Sequence, residues 1–313
     1  MTEALTQTEQ VAARPFGPGD LLWDLGGDYR SYLVFLTPTL MQTMHPIIGD
    51  ALARMPVAVN DPYGRFERST DSIHLWIYGG EKANEERRRL IELHTAVRGR
   101  DVDGREYSAL KPEVWAWVPL SGYPAFLTLC RVFGEPLPDA DAERLYDEFK
   151  NLARILGVRE QHIPPTTEAY WDYYHDMVDN RLIDHPYVHD VLDKGRQLSP
   201  PPVLPRPLKP LWMLIRPGLG AGATWLTHGT FPPEMRYILG IDWTTRDELM
   251  FRAVGQVIRG LSSVTPERLR YPKMPRLARA IARAQESGRS TDALQKQLDS
   301  HLALVESRNT KFL

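Results

Sequence analysis

Apolar residues recur every three or four positions along most of the chain, and no segment alternates regularly between apolar and polar residues. Residues 139–158 show the pattern clearly, with an apolar stripe at Leu145, Phe149, Leu152 and Leu156. This spacing places the apolar side chains on one face of an α-helix, whereas a half-buried strand requires alternation. The chain is therefore predicted to be all-α, with about ten helices.

Changes in this pattern divide the chain into three parts. Residues 1–18 are polar and end in Pro-Phe-Gly-Pro-Gly, which predicts a disordered tail. Residues 19–285 carry most of the periodic helices and are predicted to form a single domain. Residues 286–313 predict one C-terminal amphipathic helix, whose apolar stripe can dock on the body or pair two subunits of a homo-oligomer.

Two segments of the C-terminal half raise questions of packing. The helix predicted from Thr245 has a side that we expect to be buried, which carries Leu249, Val254, Val257, Ile258 and Leu261. Further upstream, the series Gly218-x-Gly220-x-Gly222 lacks the preceding strand of a dinucleotide-binding motif. These glycines are instead predicted to permit close helix packing.

The most informative stretch is 65–99, which predicts two helices broken at Gly79 and Gly80. One face of the first helix is predicted to pack inward and carries Phe66, Thr70, Ile73 and Ile77. The adjacent face is polar, with the spacing i, i+3, i+4 and i+7, and carries Arg65, Arg68, Ser69 and Ser72. A solvated stripe with an ion pair between Arg68 and Asp71 is one interpretation of this face, and a functional site is the other.

The second helix is predicted to begin near Glu81 and to end before Gly99, a residue typical of the position after a helix. His94 lies inside its apolar stripe, which consists of Leu90, Ile91, Leu93 and Val97. The imidazole is therefore expected to point into the core. It can be a core histidine satisfied by hydrogen bonds, or a neutral imidazole that binds haem iron as an axial ligand.

Several short motifs occur in an order that resembles one known family. They are Met-His-Pro at 44–46, Asp-Pro at 61–62, Arg-x-x-Arg-Ser at 65–69, Leu-His-x-x-Val-Arg-Gly at 93–99, Gly-x-x-Tyr at 104–107 and Tyr-Pro at 271–272. In this order they resemble the catalytic domain shared by rubber oxygenase (latex clearing protein) and the fungal oxygenase of the mycophenolic-acid pathway. The resemblance extends from about Asp20 to Arg279.

The resemblance implies a globin-like, multi-helix single domain with a buried pocket for one haem b. It implies that His94 is the axial ligand of the haem iron. Arg65, Arg68 and Ser69 correspond to the family's residues beside the haem, where they would be both cofactor-binding and catalytic. Ser69 stands where the family pattern has Thr, and Thr70 is the alternative counterpart.

The helix predicted from Pro38 to Pro56 carries a second candidate histidine. Pro46 removes one helix hydrogen bond and is predicted to bend this helix, with His45 on its apolar face. His45 is expected either to line the cofactor pocket or to hydrogen-bond a freed carbonyl. Rubber oxygenase also uses a distal acidic residue as a base, and Asp50 is the nearest candidate here, so double-bond cleavage is less well supported than haem binding.

A metal site without haem is an alternative. The segment 175–189 contains His and Asp residues of types that bind metals, namely His175, Asp176, Asp179, Asp184, His185 and His189. Two histidines four positions apart on a helix can share a metal, but Pro186 separates this pair and no Glu follows the first His. Surface histidines at the start of a helix are the simpler interpretation.

Composition excludes several other classes. The formal net charge of -2 argues against general nucleic-acid binding, which needs a strong basic excess. The single cysteine, Cys130, excludes an intramolecular disulfide and any Cys-based metal site. The apolar run 114–134 is broken by Pro119, Pro124 and Arg131, so no integral membrane segment is expected. The N-terminus lacks the apolar region of a signal peptide, which predicts a cytoplasmic protein.

These observations favour a haem b-dependent oxidoreductase that activates dioxygen or peroxide against an apolar small molecule, with oxidative double-bond cleavage as one such reaction. Its expected partners are therefore that substrate and O2. Two alternatives stay open. The same His94 would serve a non-catalytic haem carrier or gas sensor, and a haem-free helical scaffold would use Arg65 and Arg68 only in surface ion pairs.

Overall fold

The computed structural model describes residues 12–54, 61–100, 106–201 and 204–310. It is 74% helix and 2% strand, which confirms the all-α class. The predicted disordered tail lies outside the described residues up to position 11. Its described part, 12–18, packs on the domain, because Phe16 is buried in the core and the Arg14 backbone N–H donates to Asn151 Oδ1 at 2.9 Å.

The first half of the chain forms short helices around two longer ones. They are α1 (Leu21–Leu25), α2 (Ser31–Val34), α3 (Leu36–Met44), α4 (Pro46–Ala53), α5 (Pro62–Tyr78), α6 (Lys82–Thr95), α7 (Pro112–Leu120), α8 (Gly122–Thr128) and α9 (Asp139–Ile155). Between α6 and α7, β1 (Arg98–Arg100) pairs antiparallel with β2 (Glu106–Ser108). A π-helical turn, Leu129–Phe133, continues α8.

The second half contains the remaining helices. They are α10 (Thr167–Asn180), α11 (Pro186–Arg196), α12 (Lys209–Thr230), α13 (Pro233–Ile238), α14 (Thr245–Val264), α15 (Glu267–Arg270), α16 (Lys273–Glu286) and α17 (Asp292–Thr310), with 3-10 turns at Glu160–His162 and Arg206–Leu208. The described part of the chain thus has seventeen α-helices where about ten were expected. The helix predicted from Pro38 to Pro56, for example, is divided into α3 and α4.

The largest fully buried side chains are aromatic and form the centre of the core. The Tyr123 ring centroid lies 5.2 Å from that of Tyr146 and 5.0 Å from that of Tyr170. Each hydroxyl donates to a backbone carbonyl: Tyr146 to Pro164 at 2.7 Å, and Tyr170 to Leu120 at 3.1 Å. Large rings can be buried here because their polar tips have partners.

The predicted bend at Pro46 is a complete break between two helices. His45 has a ψ of 123°, which ends α3, and Pro46 then occupies the first turn of α4. The His45 Nδ1 accepts the Ile47 backbone N–H at 3.3 Å and caps the new helix. Proline is favoured at a helix start because no N–H is needed there, so a break satisfies the backbone better than a bend.

The helix that contains His94 ends earlier than predicted. α6 ends at Thr95, and Gly99 lies in β1 opposite Tyr107. A Cβ on Gly99 would lie 3.0 Å from the Tyr107 hydroxyl oxygen. The glycine therefore permits a close approach between strands instead of terminating a helix. The predicted Gly-x-x-Tyr motif is only partly described, because Gly104 lies outside the described residues.

The apolar side predicted to be buried on α14 is largely exposed, so this prediction is wrong. Val257 is 62% exposed, and Leu249 and Leu261 are similarly open. The buried positions of α14 are Phe251, Gly255 and Ser262, on the neighbouring face of the helix, and of the predicted stripe only Ile258 packs against the core. The helical periodicity of the sequence identified the apolar stripe of α14, but it could not show whether other helices pack over that stripe.

The C-terminal helix α17 docks on the body. Leu298 and Val305 are buried against the core, and Leu294 and Leu302 are partly buried beside them. The stripe that could have paired two subunits is therefore used within the chain. No helix in the described ranges combines the length and the apolar character needed to cross a lipid bilayer.

Candidate functional site

A cavity of about 270 Å³ lies between α5 and the helices α2, α3, α7 and α8. The α5 side chains that line it include Arg65, Ser69, Thr70, Ser72, Ile73, His74, Trp76 and Ile77. The opposite walls are mainly apolar and include Tyr32, Phe35, Pro38, Val118, Pro119 and Phe126. Three of the four residues on the polar face predicted for the first helix, Arg65, Ser69 and Ser72, thus line a partly open cavity.

The start of α5 fixes the arginine pair. Asp61 caps the helix, since its Oδ1 accepts the Gly64 backbone N–H at 3.0 Å. The Arg68 Nη1 donates to Asp61 Oδ2 at 3.0 Å, and Arg68 does not line the cavity. The predicted pair between Arg68 and Asp71 is replaced, because Asp71 lies 2.8 Å from Arg308 Nη2 of α17.

Arg65 does line the cavity, and α11 orients it. Its Nη1 donates to the Tyr187 hydroxyl, and the guanidinium carbon lies 5.9 Å from the centroid of the Tyr187 ring. Tyr187 is itself buried. The cation is therefore held against a fixed aromatic side chain while it faces the cavity.

The two hydroxyl candidates differ in their hydrogen bonds. The Thr70 Oγ1 donates to the backbone carbonyls of Phe66 and Glu67, both at 2.9 Å. The Ser69 hydroxyl makes no hydrogen bond with the described part of the chain. Ser69 is therefore the hydroxyl that can bind a ligand without first breaking a bond to the backbone.

Two further α5 residues add polar atoms to the lining. The Trp76 indole N–H is buried and has no partner within the described ranges. Burial lowers the pKa of His74 to about 4, so its imidazole is neutral at pH 7. A buried donor without a partner is costly unless a ligand satisfies it.

His94 lies one helical turn beyond this cavity. Leu90 lines the cavity, and the His94 Nδ1 lies 2.7 Å from the Leu90 carbonyl oxygen. The His94 ring packs edge-on against Trp115, with 5.2 Å between centroids. His94 itself is half-buried and does not line the cavity in this structure.

The state of the His94 imidazole follows from these contacts. Burial lowers its pKa, so it is neutral near pH 7. Because Nδ1 is bonded to a carbonyl, it carries the proton and leaves the Nε2 lone pair for another partner.

A buried hydrogen bond connects α6, the helix of His94, to α5: the Ser72 hydroxyl donates to Glu86 Oε1 at 2.6 Å.

His45 and Asp50 lie elsewhere. His45 caps α4 and is not among the cavity-lining residues, and burial lowers its pKa to about 4. Asp50 also does not line the cavity, and its Oδ1 lies 3.2 Å from His185 Nε2. The structure therefore separates these two candidates from Arg65 and Ser69.

The residues proposed as an alternative metal site are dispersed into pairs. His189 bonds Asp184, while Asp176 accepts from Asn180 and Arg181. Across the described ranges, no group of three or more His, Cys, Asp or Glu side chains is placed to hold a metal ion.

His185 was expected at the surface, at the start of a helix. It does cap α11, through a hydrogen bond from the Tyr187 N–H to its Nδ1, but it is buried. It is buried because it packs against α4. There its Nε2 lies 3.2 Å from Asp50 Oδ1, and Gly49, which has no side chain, leaves room for the ring.

Sequence reasoning missed Trp76 and Tyr187. Trp76 could have been found, because it follows Ser69 by seven residues and Ile73 by three, which places all three on one helix face. Tyr187 gave no such signal. It is 122 residues from Arg65, and only the packing of α11 brings the two together.

Comparison with known proteins gives one family match. The family described as "ER-bound oxygenase mpaB/B'/Rubber oxygenase, catalytic domain" matches residues 23–260. Two curated relatives, uncharacterized proteins of Mycobacterium bovis and Mycobacterium tuberculosis, are each 25% identical over 234 residues, which cover 73% of this chain and 88% of the relative. No solved structure gives a significant match.

Proposed function

Because the chain belongs to the family of MpaB and rubber oxygenase catalytic domains, we propose that it is a haem b-dependent oxidoreductase that uses dioxygen or peroxide to oxidise an apolar small molecule. The observation that carries the proposal is the cavity beside α5. It combines apolar walls with Arg65 and the unbonded hydroxyl of Ser69 on one helix face. Mostly apolar cavities with a few polar groups are typical of cofactor and substrate sites.

The residue types present suit a haem group, although the cavity of about 270 Å³ must widen to hold one and His94 lies outside its lining. Apolar walls would hold its ring, and the Arg65 guanidinium would pair with a propionate. The orphaned Trp76 N–H offers a second donor to an acidic group. The neutral His94, with Nδ1 bonded to a carbonyl and Nε2 available, is the kind of imidazole that binds haem iron. To coordinate iron in the cavity, this side chain would replace Leu90 in the lining.

When bound, the haem would supply the redox chemistry that activates dioxygen or peroxide. The protein's own residues would position and shield the reactants. Arg65, fixed by Tyr187, would stabilise negative charge in the cavity, and the Ser69 hydroxyl would donate a hydrogen bond there. The mainly apolar walls formed by α2, α3, α7 and α8 would exclude water and accept an apolar substrate.

Oxidative double-bond cleavage is the less favoured reaction. In rubber oxygenase, as the resemblance implies, it uses a distal acidic residue. No Asp or Glu is among the described residues that line the cavity, and Asp50 faces His185 instead. We therefore propose oxygenation of an apolar substrate without a carboxylate base in this cavity.

The test is a haem-reconstitution experiment with matched histidine variants. Full-length protein, His94→Ala and His45→Ala are incubated with haemin, and the Soret band and iron per chain are measured. We expect about one haem per chain in the wild type and in His45→Ala, and a lost or strongly shifted band in His94→Ala. Identical spectra for all three would reject His94 as the ligand, and colourless protein throughout would reject the haem proposal.

Oxygen uptake then separates an enzyme from a carrier. Reconstituted protein is supplied with a panel of apolar alkenes and terpenoids in an oxygen electrode. Substrate-dependent uptake that is lost in Arg65→Gln is expected. Stable haem binding without uptake would instead favour the haem carrier or gas sensor.

A further inference from the structure

A second and larger cavity, of about 820 Å³, lies on the other side of α8. Pro124, Leu127 and Thr128 of α8 line it, whereas Gly122, Ala125 and Phe126 of the same helix face the first cavity. The two cavities are therefore separated by one helix. This second cavity plays no part in the function proposed above.

Two arginines that lack an acidic partner line the second cavity. Arg131 comes from the π-helical turn and Arg236 from α13. Within the described ranges neither guanidinium forms an ion pair. The contacts of Arg236 are a 3.5 Å hydrogen bond to the His228 carbonyl and a cation–π contact of 5.0 Å with the Trp243 ring centroid.

Placing the two guanidiniums in this cavity costs free energy when no ligand is bound. Arg236 is half-buried, and burial lowers its pKa; Glu248 and Glu234 oppose this effect only in part, and the neighbouring charge of Arg131 adds to it. Two guanidiniums that repel each other in a concave site are stabilised when an anion binds between them. Arg131 is exposed, so it can reach an incoming ligand.

The acidic side chains nearby do not cancel these two charges. Glu248 also lines the cavity, but it is already bonded to Arg252 Nε at 2.7 Å and to Trp243 Nε1 at 3.0 Å. Glu234 also lines the cavity and its charge acts on Arg236, but it forms no ion pair with either arginine in the described structure. The local balance therefore leaves positive charge available.

The rest of the lining is mixed: Thr128, His175, Arg252 and Gln256 are polar, and the apolar part is largely aromatic. Trp171 and Tyr174 of α10 form one wall, and Phe231 and Phe251 contribute to another. Such walls would contribute binding energy only to a ligand with an apolar body. A small inorganic anion would leave most of the cavity unused.

From these contacts we infer that the second cavity binds an amphipathic oxyanion, a carboxylate or phosphate joined to an apolar body. Arg131 and Arg236 would hold the oxyanion together, and the aromatic walls would hold the apolar body. The inference concerns a site separate from the haem cavity and does not depend on haem binding.

Isothermal titration calorimetry with eight-carbon probes tests this inference. Octanoate, octyl phosphate and octan-1-ol share one apolar body and differ in their headgroup. Binding of octanoate or octyl phosphate, at least about tenfold tighter than that of octan-1-ol, is expected from the charged hydrogen bonds. The tighter of the two anions identifies the headgroup, and equal binding of the alcohol would overturn the inference.

Variants locate the site. Arg131→Glu changes an exposed residue and should fold normally, yet it should weaken anion binding at least about tenfold. Arg236→Gln should do the same. Arg88→Glu, an equal charge change on the exposed face of α6, is the matched control and should leave binding unchanged. Anion binding that survives Arg131→Glu, or that is abolished when Ser69→Trp fills the first cavity, would contradict the assignment.

Discussion

At the scale of single residues, the motif Arg-x-x-Arg-Ser allowed two interpretations, a solvated ion pair and a functional site, and the structure assigns different residues of the motif to each. Arg65 and Ser69 face the cavity, whereas Arg68 pairs with Asp61 at the start of α5. The helical spacing placed all of them on one stripe. It could not show that Arg68 alone of these three turns away from the cavity, because that depends on where α2 and α3 pack against α5.

This separation gives a prediction for the two arginines. Arg65→Gln should weaken haemin affinity about tenfold, because it removes a charged hydrogen bond from a partly buried site. Arg68→Gln should change the affinity less than about twofold and cost at most about 1 kcal/mol of stability, as expected for a partly exposed ion pair. Haemin titration followed at the Soret band measures both. Equal losses in the two variants would show that Arg68 also contacts the haem.

A second prediction concerns Tyr187, which orients Arg65 across 122 residues of sequence. Tyr187→Phe keeps the ring but removes the hydrogen-bond acceptor. We expect a loss of haemin affinity of about threefold, smaller than that of Arg65→Gln, because the cation–π contact remains. If Tyr187→Phe equals Arg65→Gln in affinity, the hydrogen bond is the main determinant of Arg65 orientation.

At the scale of elements, periodicity predicted that helices form but not which faces they bury. The α14 stripe is apolar, yet Phe251 on the neighbouring face makes the core contact, where its ring centroid lies 5.8 Å from that of Phe133. The hairpin of β1 and β2 was missed for a related reason. Three-residue strands are too short to give an alternating pattern, and pairing between strands decides their formation.

The faces of α14 make a sharp comparison. Phe251 is 2% exposed, so Phe251→Ala should lower the free energy of unfolding by about 3–5 kcal/mol. Val257→Ser, on the predicted but exposed stripe, should change it by no more than about 0.5 kcal/mol. Urea unfolding followed by circular dichroism measures the difference. A large loss in Val257→Ser would mean that a partner covers this stripe in solution.

The glycines of α12 give a matched pair. A Cβ on Gly220 would lie 2.6 Å from the Arg196 Cα, whereas a Cβ on Gly222 would meet nothing within 4 Å. Gly220→Ala should therefore destabilise the protein by forcing α11 and α12 apart. Gly222→Ala should stabilise it by about 0.5–1 kcal/mol, because alanine favours a helix over glycine. Thermal melts of both variants distinguish packing from propensity, and opposite signs are expected.

At the scale of the whole molecule, the all-α class followed from the sequence because helical periodicity is local. The order of motifs indicated the family for the same reason, and the match over residues 23–260 bears this out. The cavities could not be predicted. Their walls combine residues from α2, α5, α7 and α8, so their shape depends on the breaks at His45 and Ser121 that interrupt the longer predicted helices.

The buried His45 side chain at this break also makes the free energy of unfolding depend on pH. Burial lowers the pKa of His45 to about 4, below its ordinary value of 6.5, so the unfolded chain binds the proton more readily than the folded one. The stability due to neutral His45 is therefore fully present above pH 6.5 and is lost as the pH falls to 4. The shift corresponds to at most about 3 kcal/mol.

His45→Asn isolates this contribution, because asparagine can still cap α4 but does not titrate in this range. The variant should be less stable than the wild type at pH 7, owing to lost packing, and its stability should fall less steeply from pH 6.5 to 4. Urea unfolding at half-unit pH steps measures the two slopes, and His189→Asn, at an exposed position, controls for the loss of one histidine. Parallel slopes for wild type and His45→Asn would mean that His45 has the same pKa in the folded and unfolded protein, so that its burial does not disfavour the charged imidazole.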